Sequence, residues 1–195
     1  EKHGFTTENI YTMFIPNTYE IYWNVSPDAF FDKMYKEFDK FWTPERKQKA
    51  TALGLDPQKA VILASIVDYE ALYDKEMPTI AGLYLNRLRQ GILLQADPTV
   101  IYANNDFTVK RVTGALLRVD SKYNTYKYAG LPPGPIMMPS IKAIDAVLNR
   151  EKNNYIYMCA KEDFSGYHNF AETQEEHDRN AKKYRDALNK RNIYR

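Results

Sequence analysis

The chain has 195 residues, 44% hydrophobic and 27% charged, which excludes a disordered or collagen-like chain and fits one ordinary packed domain, or one with a small appendage. Lys and Arg number 27 against 25 Asp and Glu, a net charge of +2, so nothing concentrates the basic surface that a nucleic-acid partner requires. The single cysteine, Cys159, excludes an internal disulfide.

Helix punctuation is clear along the chain. Ser26-Pro27-Asp28 reads as an N-cap with proline at the first helical position. Phe30, Phe31, Met34, Tyr35, Phe38, Phe41 and Trp42 follow at helical spacing, predicting a helix with one buried aromatic face. Thr43-Pro44-Glu45 restarts a short polar helix that Gly54 ends. Asp56-Pro57 caps the next helix, whose middle, Ala60 to Ala64, is apolar all round and therefore belongs in the core. That helix should end near Tyr73. A fourth helix is expected from Pro78 to Gly91, and Asp97-Pro98-Thr99 opens a short fifth one with Asp97 as its cap. Residues 103–122 predict no firm element. Four prolines and two glycines between Tyr123 and Pro139 predict a stiff loop, and a helix follows from about Ser140 to Asn149. Tyr155–Ala160 and His168–Phe170, separated by a polar turn, read as a β-hairpin. Thr173-Gln174-Glu175-Glu176 is a capping box for a C-terminal helix. The sum is α+β, more helix than strand, with residues 1–25 as a lead-in segment, packed on the domain or apart from it, and 26–195 as the domain. The longest apolar run, Ala60–Val67, is short of the ~20 residues of a membrane span. Glu1-Lys2-His3-Gly4 does not open a signal peptide.

Among residues able to carry chemistry, Glu70 stands out. It lies three residues after Val67, four after Ile66 and seven after Leu63, so it continues the apolar stripe of the buried helix. Asp68 is roughly 200° away around the axis and points elsewhere. Desolvation and the nearby helix C-terminus both disfavour the Glu70 anion, which makes it a candidate general acid. A helix-end glutamate that reaches solvent or pairs with Lys75 fits the same position. Asp97 is the second carboxylate, and a helix cap is its ordinary role. Asn86 and Arg87 sit late in the fourth helix among apolar residues, to hydrogen-bond a ligand or, for Arg87, to pair with an acid such as Asp97. Tyr123-Asn124-Thr125-Tyr126 combines two rings with small hydrogen-bonding groups, as sugar sites do and as ordinary turns also do. His168 and His177 lack a third partner for a metal, and Ser65 lacks a Gly-x-Ser-x-Gly context. No cofactor or metal is implied, and no glycine-rich phosphate loop is present.

Taken in order, five blocks resemble the YceG-like family of endolytic murein lytic transglycosylases. They are Ala64-Ser65-Ile66-Val67-Asp68-Tyr69-Glu70; Ala81 to Leu88 with Asn86-Arg87; Leu94-Gln95-Ala96-Asp97-Pro98-Thr99 to Tyr102; Tyr123 to Tyr126; and Gly130-Leu131-Pro132-Pro133-Gly134-Pro135-Ile136. Phe14 to Tyr19, with Pro16-Asn17-Thr18, is similar to the family's Phe-Pro-Asp-Thr-Tyr element, and His168, Phe170 and His177 to its C-terminal part. The resemblance implies a mostly helical, lysozyme-like catalytic domain with a small β-hairpin region. It implies non-hydrolytic cleavage of peptidoglycan glycan strands, with Glu70 as catalytic acid and then base. Gln95, Tyr123, Asn124, Tyr126 and Asn86 are the implied substrate-binding residues, and the Gly130–Pro135 loop a cleft wall. Family members face the periplasm from the bacterial inner membrane through an N-terminal anchor and carry a further N-terminal module. Neither is seen in these 195 residues, so a soluble catalytic portion is expected, with cell-wall synthesis proteins as candidate partners. Asp68 and Ala71 depart from the family's Glu and Thr. A hydrolytic muramidase using Glu70 and Asp97, and a non-catalytic peptidoglycan-binding scaffold, are the alternatives.

Overall fold

The structure, a computed structural model, describes residues 3–109, 112 and 114–191. Residues 1–2 of the lead-in, 192–195 of the expected domain, and Lys110, Arg111 and Thr113 lie outside the described residues.

Five of the seven α-helices among the described residues begin where a short polar side chain accepts from one of the first free N–H groups. Helix α1, Pro27–Phe41, is capped by Ser26, and α2, Pro44–Ala52, by Thr43. Helix α3, Pro57–Glu70, is capped by Asp56, which accepts from the Lys59 N–H at 2.8 Å. Its residues Ala60 to Val67 are buried without a break, as an all-apolar helix must be. Helices α4, Met77–Arg89, and α6, Ile141–Leu148, pack along α3. Helix α1 lays Met34 and Phe38, with the following Trp42, into the same core. Phe5, Met13 and Ile15 of the N-terminal segment are buried there too, with the Phe5 ring edge-on to Phe38 at 5.3 Å. Helix α5, Asp97–Asn104, packs against α3. Strands β1, Tyr157–Ala160, and β2, His168–Ala171, form an antiparallel hairpin in which Tyr157 faces Ala171 and Ala160 faces His168. Helix α7, Gln174–Lys190, starts at Thr173 and packs on it. The architecture is α+β and mostly helical, as expected.

Three details depart from the sequence reading. Helix α3 stops at Glu70 itself rather than near Tyr73, because Ala71 turns to extended backbone (ψ 117°) and the chain reverses through a 3-10 turn, Asp74–Glu76, into α4. Helix α4 starts at Met77, with Pro78 inside its first turn, where a missing N–H costs nothing. Asp97 is not a cap. Ala96 holds the N-cap position without a side-chain bond, and Asp97 is the first helical residue. Within 103–122 the described residues include one short 3-10 turn, Leu116–Arg118, to which the Asn104 amide donates at 3.2 Å.

The proline-rich loop is held from both sides. Ser65 Oγ accepts the Ile136 N–H at 3.1 Å from within α3. A Cβ on Gly134 would stand 2.0 Å from the Glu8 carbonyl oxygen and 2.7 Å from the Tyr123 hydroxyl, so only glycine lets the loop pass there. No single helix among the described residues is long and apolar enough to cross a membrane.

Candidate active site

The end of α3 at Glu70 leaves its carboxyl at the rim of the core rather than in bulk water. Glu70 is partly buried, while Tyr69, Leu72 and Tyr73 around it are exposed. Its Oε1 accepts a hydrogen bond from the Tyr84 hydroxyl at 3.0 Å. Tyr84, on α4, is 2% exposed. Burial raises the Glu70 pKa to about 7; the Tyr84 hydrogen bond works against that rise, and the charge of Asp97 adds to it. Burial first, and then the Glu70 carboxylate, push the Tyr84 phenol well above its ordinary value. Glu70 therefore pairs with a phenol, not with Lys75, and holds a proton to near neutral pH.

Two loops are stitched together beside it. Gln95 has a left-handed backbone (φ 52°), uncommon for a residue with a side chain. Its N–H donates to the Thr125 carbonyl at 3.1 Å, and the Ala96 N–H donates to Thr125 Oγ1 at 3.0 Å. Thr99 Oγ1 lies 2.8 Å from Thr125 Oγ1. This seam brings the Tyr126 hydroxyl to Asp97 Oδ1, 2.6 Å away. Burial raises the Tyr126 phenol strongly, with the charges of Asp97 and Glu70 adding to it. Glu70, Tyr84, Asp97 and Tyr126 thus form one electrostatically linked group.

Arg87 does not pair with Asp97. It is buried, and its three nitrogens donate to the Leu93 carbonyl (2.9 Å), the Ile156 carbonyl (2.7 Å) and Gln95 Oε1 (2.5 Å). It ties α4 to the Gln95 turn and to the chain entering β1. Gln95 itself is exposed.

The remaining candidates are placed elsewhere. Asn124 is fully buried, its amide donating to Leu117 and Val119 carbonyls and accepting from the Tyr126 N–H, so it shapes the turn from within. Asn86 is buried and donates to the Asn153 and Tyr155 carbonyls. Tyr123 turns away from Asp97: its ring lies 4.7 Å from that of Tyr102, and burial and Tyr102 push its phenol up to about 12. Asp68 faces α6, where it accepts from the Ser140 N–H at 2.6 Å, in keeping with the opposite direction expected for it. His168 Nδ1 lies 3.0 Å from Glu76 Oε2, and His177 stacks on Tyr157 at 5.2 Å. Cys159 is half-buried on β1. No group of three metal-ligating side chains occurs among the described residues. Leu131, Pro132 and Pro133 border a cavity that also touches Asn86 but not Glu70, so the proline loop walls that cavity.

Sequence reasoning missed Tyr84, whose helical spacing marks it only as core. The available signal was the hydroxyl, because a tyrosine among buried residues needs a polar partner. Replacing it tests the pair. Tyr84→Phe should move the alkaline limb of the pH–rate profile upward by about one unit, because the lost bond stabilises the Glu70 anion more than the acid. A limb that stays put or moves down would show that the bond does not set the Glu70 proton affinity.

The model of the YceG-like family matches residues 1–183. An endolytic murein transglycosylase of Bacillus subtilis is 37% identical over 133 residues, 68% of this chain and 36% of that protein. One of Streptococcus pneumoniae is 30% identical over 169 residues, 85% of this chain and 30% of that protein. The chain thus spans about a third of the length of these curated relatives. A solved YceG-like protein from Listeria monocytogenes superposes with a TM-score of 0.71 at 34% identity, covering 86% of this chain and 54% of that one.

Proposed function

The chain belongs to the YceG-like family, and from that premise we propose that it is a murein lytic transglycosylase domain that cuts glycan strands internally at the bond between N-acetylmuramic acid and N-acetylglucosamine. The observation that carries the reading is the Glu70 carboxyl, desolvated at the end of a core helix and holding its proton up to about pH 7.

In the proposed reaction, protonated Glu70 gives its proton to the bridging oxygen as the C1–O bond breaks. The carboxylate so formed takes the proton of the muramic acid's own C6 hydroxyl, whose oxygen closes on C1. Glu70 ends protonated, and the products are a free sugar end and a 1,6-anhydro end. One carboxyl performs both transfers, which suits a pKa near neutrality better than a permanently ionised group. Tyr84 keeps Oε1 engaged, leaving Oε2 for the proton that moves. Gln95 and Tyr126 contribute polar contacts to the sugars at an exposed edge, and Tyr69 and Tyr73 offer ring faces. Tyr123, Asn124 and Asn86 are read as supports of that edge rather than sugar contacts. A location facing the cell wall follows from the substrate.

Asp97 supplies a second carboxylate within electrostatic reach of Glu70, which favours hydrolysis as the competing reading. Mass spectrometry of products from isolated glycan strands separates the two. Anhydro ends are expected, and reducing ends would assign the reaction to a muramidase.

A further inference from the structure

A concave site lies at the end of α3 opposite Glu70. It has a volume of about 690 Å³, within the range of small-ligand and peptide sites. Its walls are mostly apolar: Leu55 just before α3 and Ile62 within it, Leu85 and Leu88 from α4, and Leu131 with Pro132 from the proline loop, with Asn9, Gln58 and Asn86 among them. At its edge stand three cations, Lys59, Arg89 and Arg150, and one acid, Asp56. Asp56 is already used, capping α3 and pairing with Lys59 at 3.3 Å. Among the described residues Arg89 donates to the neutral Asn86 Oδ1, at 3.0 Å. Arg150 makes one long bond to the Glu151 carbonyl, at 3.4 Å, and its buried Nε meets no acceptor among the described residues. Two guanidinium groups with no carboxylate partner among the described residues therefore border the trough. A buried donor without a partner costs free energy that an arriving acceptor recovers, and guanidinium geometry matches a carboxylate with two parallel bonds.

We propose that this trough binds a short peptide that ends in a free carboxylate, its small apolar side chains on the Leu and Pro walls and its terminal carboxylate between Arg89 and Arg150. The inference rests on the glycan-cleaving reading for its biological source, since muramic acid bears peptide arms of this chemistry. The spacing fits that source. Ile62 and Gln58, both bordering the trough, lie eight and twelve residues before Glu70 on one helix, about 12 and 18 Å along its axis. An extended arm of four or five residues spans roughly 13–18 Å. The site would let the enzyme prefer strands that still carry their peptides over stripped ones.

The test titrates the protein with acetyl-Lys-D-Ala-D-Ala and with the same peptide amidated at its C-terminus. The acid should bind saturably at millimolar concentration or below, the amide about tenfold more weakly, and the Arg89→Gln/Arg150→Gln variant should lose the acid by at least the same factor. Arg89→Lys/Arg150→Lys should regain part of it, and a thermal melt should show each variant folded. Equal binding of acid and amide, undiminished binding by the double variant, or no saturable binding would each overturn the proposal. Cleavage gives a separate readout: the double variant should cut peptide-free strands at the parent rate and peptide-bearing strands about tenfold more slowly. A parent that cuts neither substrate would defeat the glycan-cleaving reading, while the peptide titration would still decide the site.

Discussion

Glu70→Gln is expected to lower strand cleavage by about a thousandfold, equivalent to roughly 4 kcal/mol of barrier, while making the protein more stable at alkaline pH. The two effects share a cause. An amide keeps the shape and still accepts from the Tyr84 hydroxyl, but it has no proton to give and no charge to bury. The sign of the stability effect follows from the linkage of protonation to folding. The folded-state pKa, about 7, lies above the ordinary value of 4.5. Below about pH 4.5 the acid is protonated in both states, and burial carries no ionic cost. As pH rises to 7 and beyond, the unfolded chain releases this proton more readily than the folded one, and the folded state is disfavoured by about 3 kcal/mol. The variant should therefore melt with the parent at pH 4 and several degrees above it at pH 8. Loss of activity with a lowered melting temperature at pH 8 would mark Glu70 as structural. Retained activity would remove it from the reaction.

Arg87→Met should be the most damaging single change to stability in the region. Methionine keeps an apolar stem in the buried space but removes the guanidinium, leaving the Leu93 and Ile156 carbonyls and Gln95 Oε1 without its three bonds. With charged-donor bonds worth about 1.5–3 kcal/mol each and not additive, a net cost of about 4 kcal/mol follows. That corresponds to a fall of roughly 10 °C in melting temperature. Gln95 is held in its left-handed conformation partly by this bond, so the folded fraction should also bind glycan more weakly, seen as a raised KM. A melting temperature within 2 °C of the parent, on the order of 1 kcal/mol or less, would contradict the tie.

Much of the fold was legible in the residue order because it rests on local chemistry. Ser26, Thr43, Asp56, Ser140 and Thr173 each cap the helix expected of them, since a short side-chain oxygen serves the neighbouring N–H groups whatever lies around it. The all-apolar run of α3 likewise announced its burial. Asp97 misled for a related reason: Asp-Pro is the usual opening of a helix, yet the chain turned one residue earlier, leaving the carboxylate for the Tyr126 hydroxyl.

What the sequence by itself determined, then, was the helix starts, the hairpin, the buried helix and Glu70 as the carboxyl at its apolar edge; these depend on contacts within about four residues or on a period of 3.6. Tertiary structure alone decided the company that Glu70 keeps. Tyr84 is fourteen residues away, Asp97 lies twenty-seven residues away and acts through its charge, and Arg87 joins the Gln95 turn to Ile156. Proton affinity is set by burial and by charges a few ångströms off, and no spacing along the chain encodes which loops the core will bring within that distance.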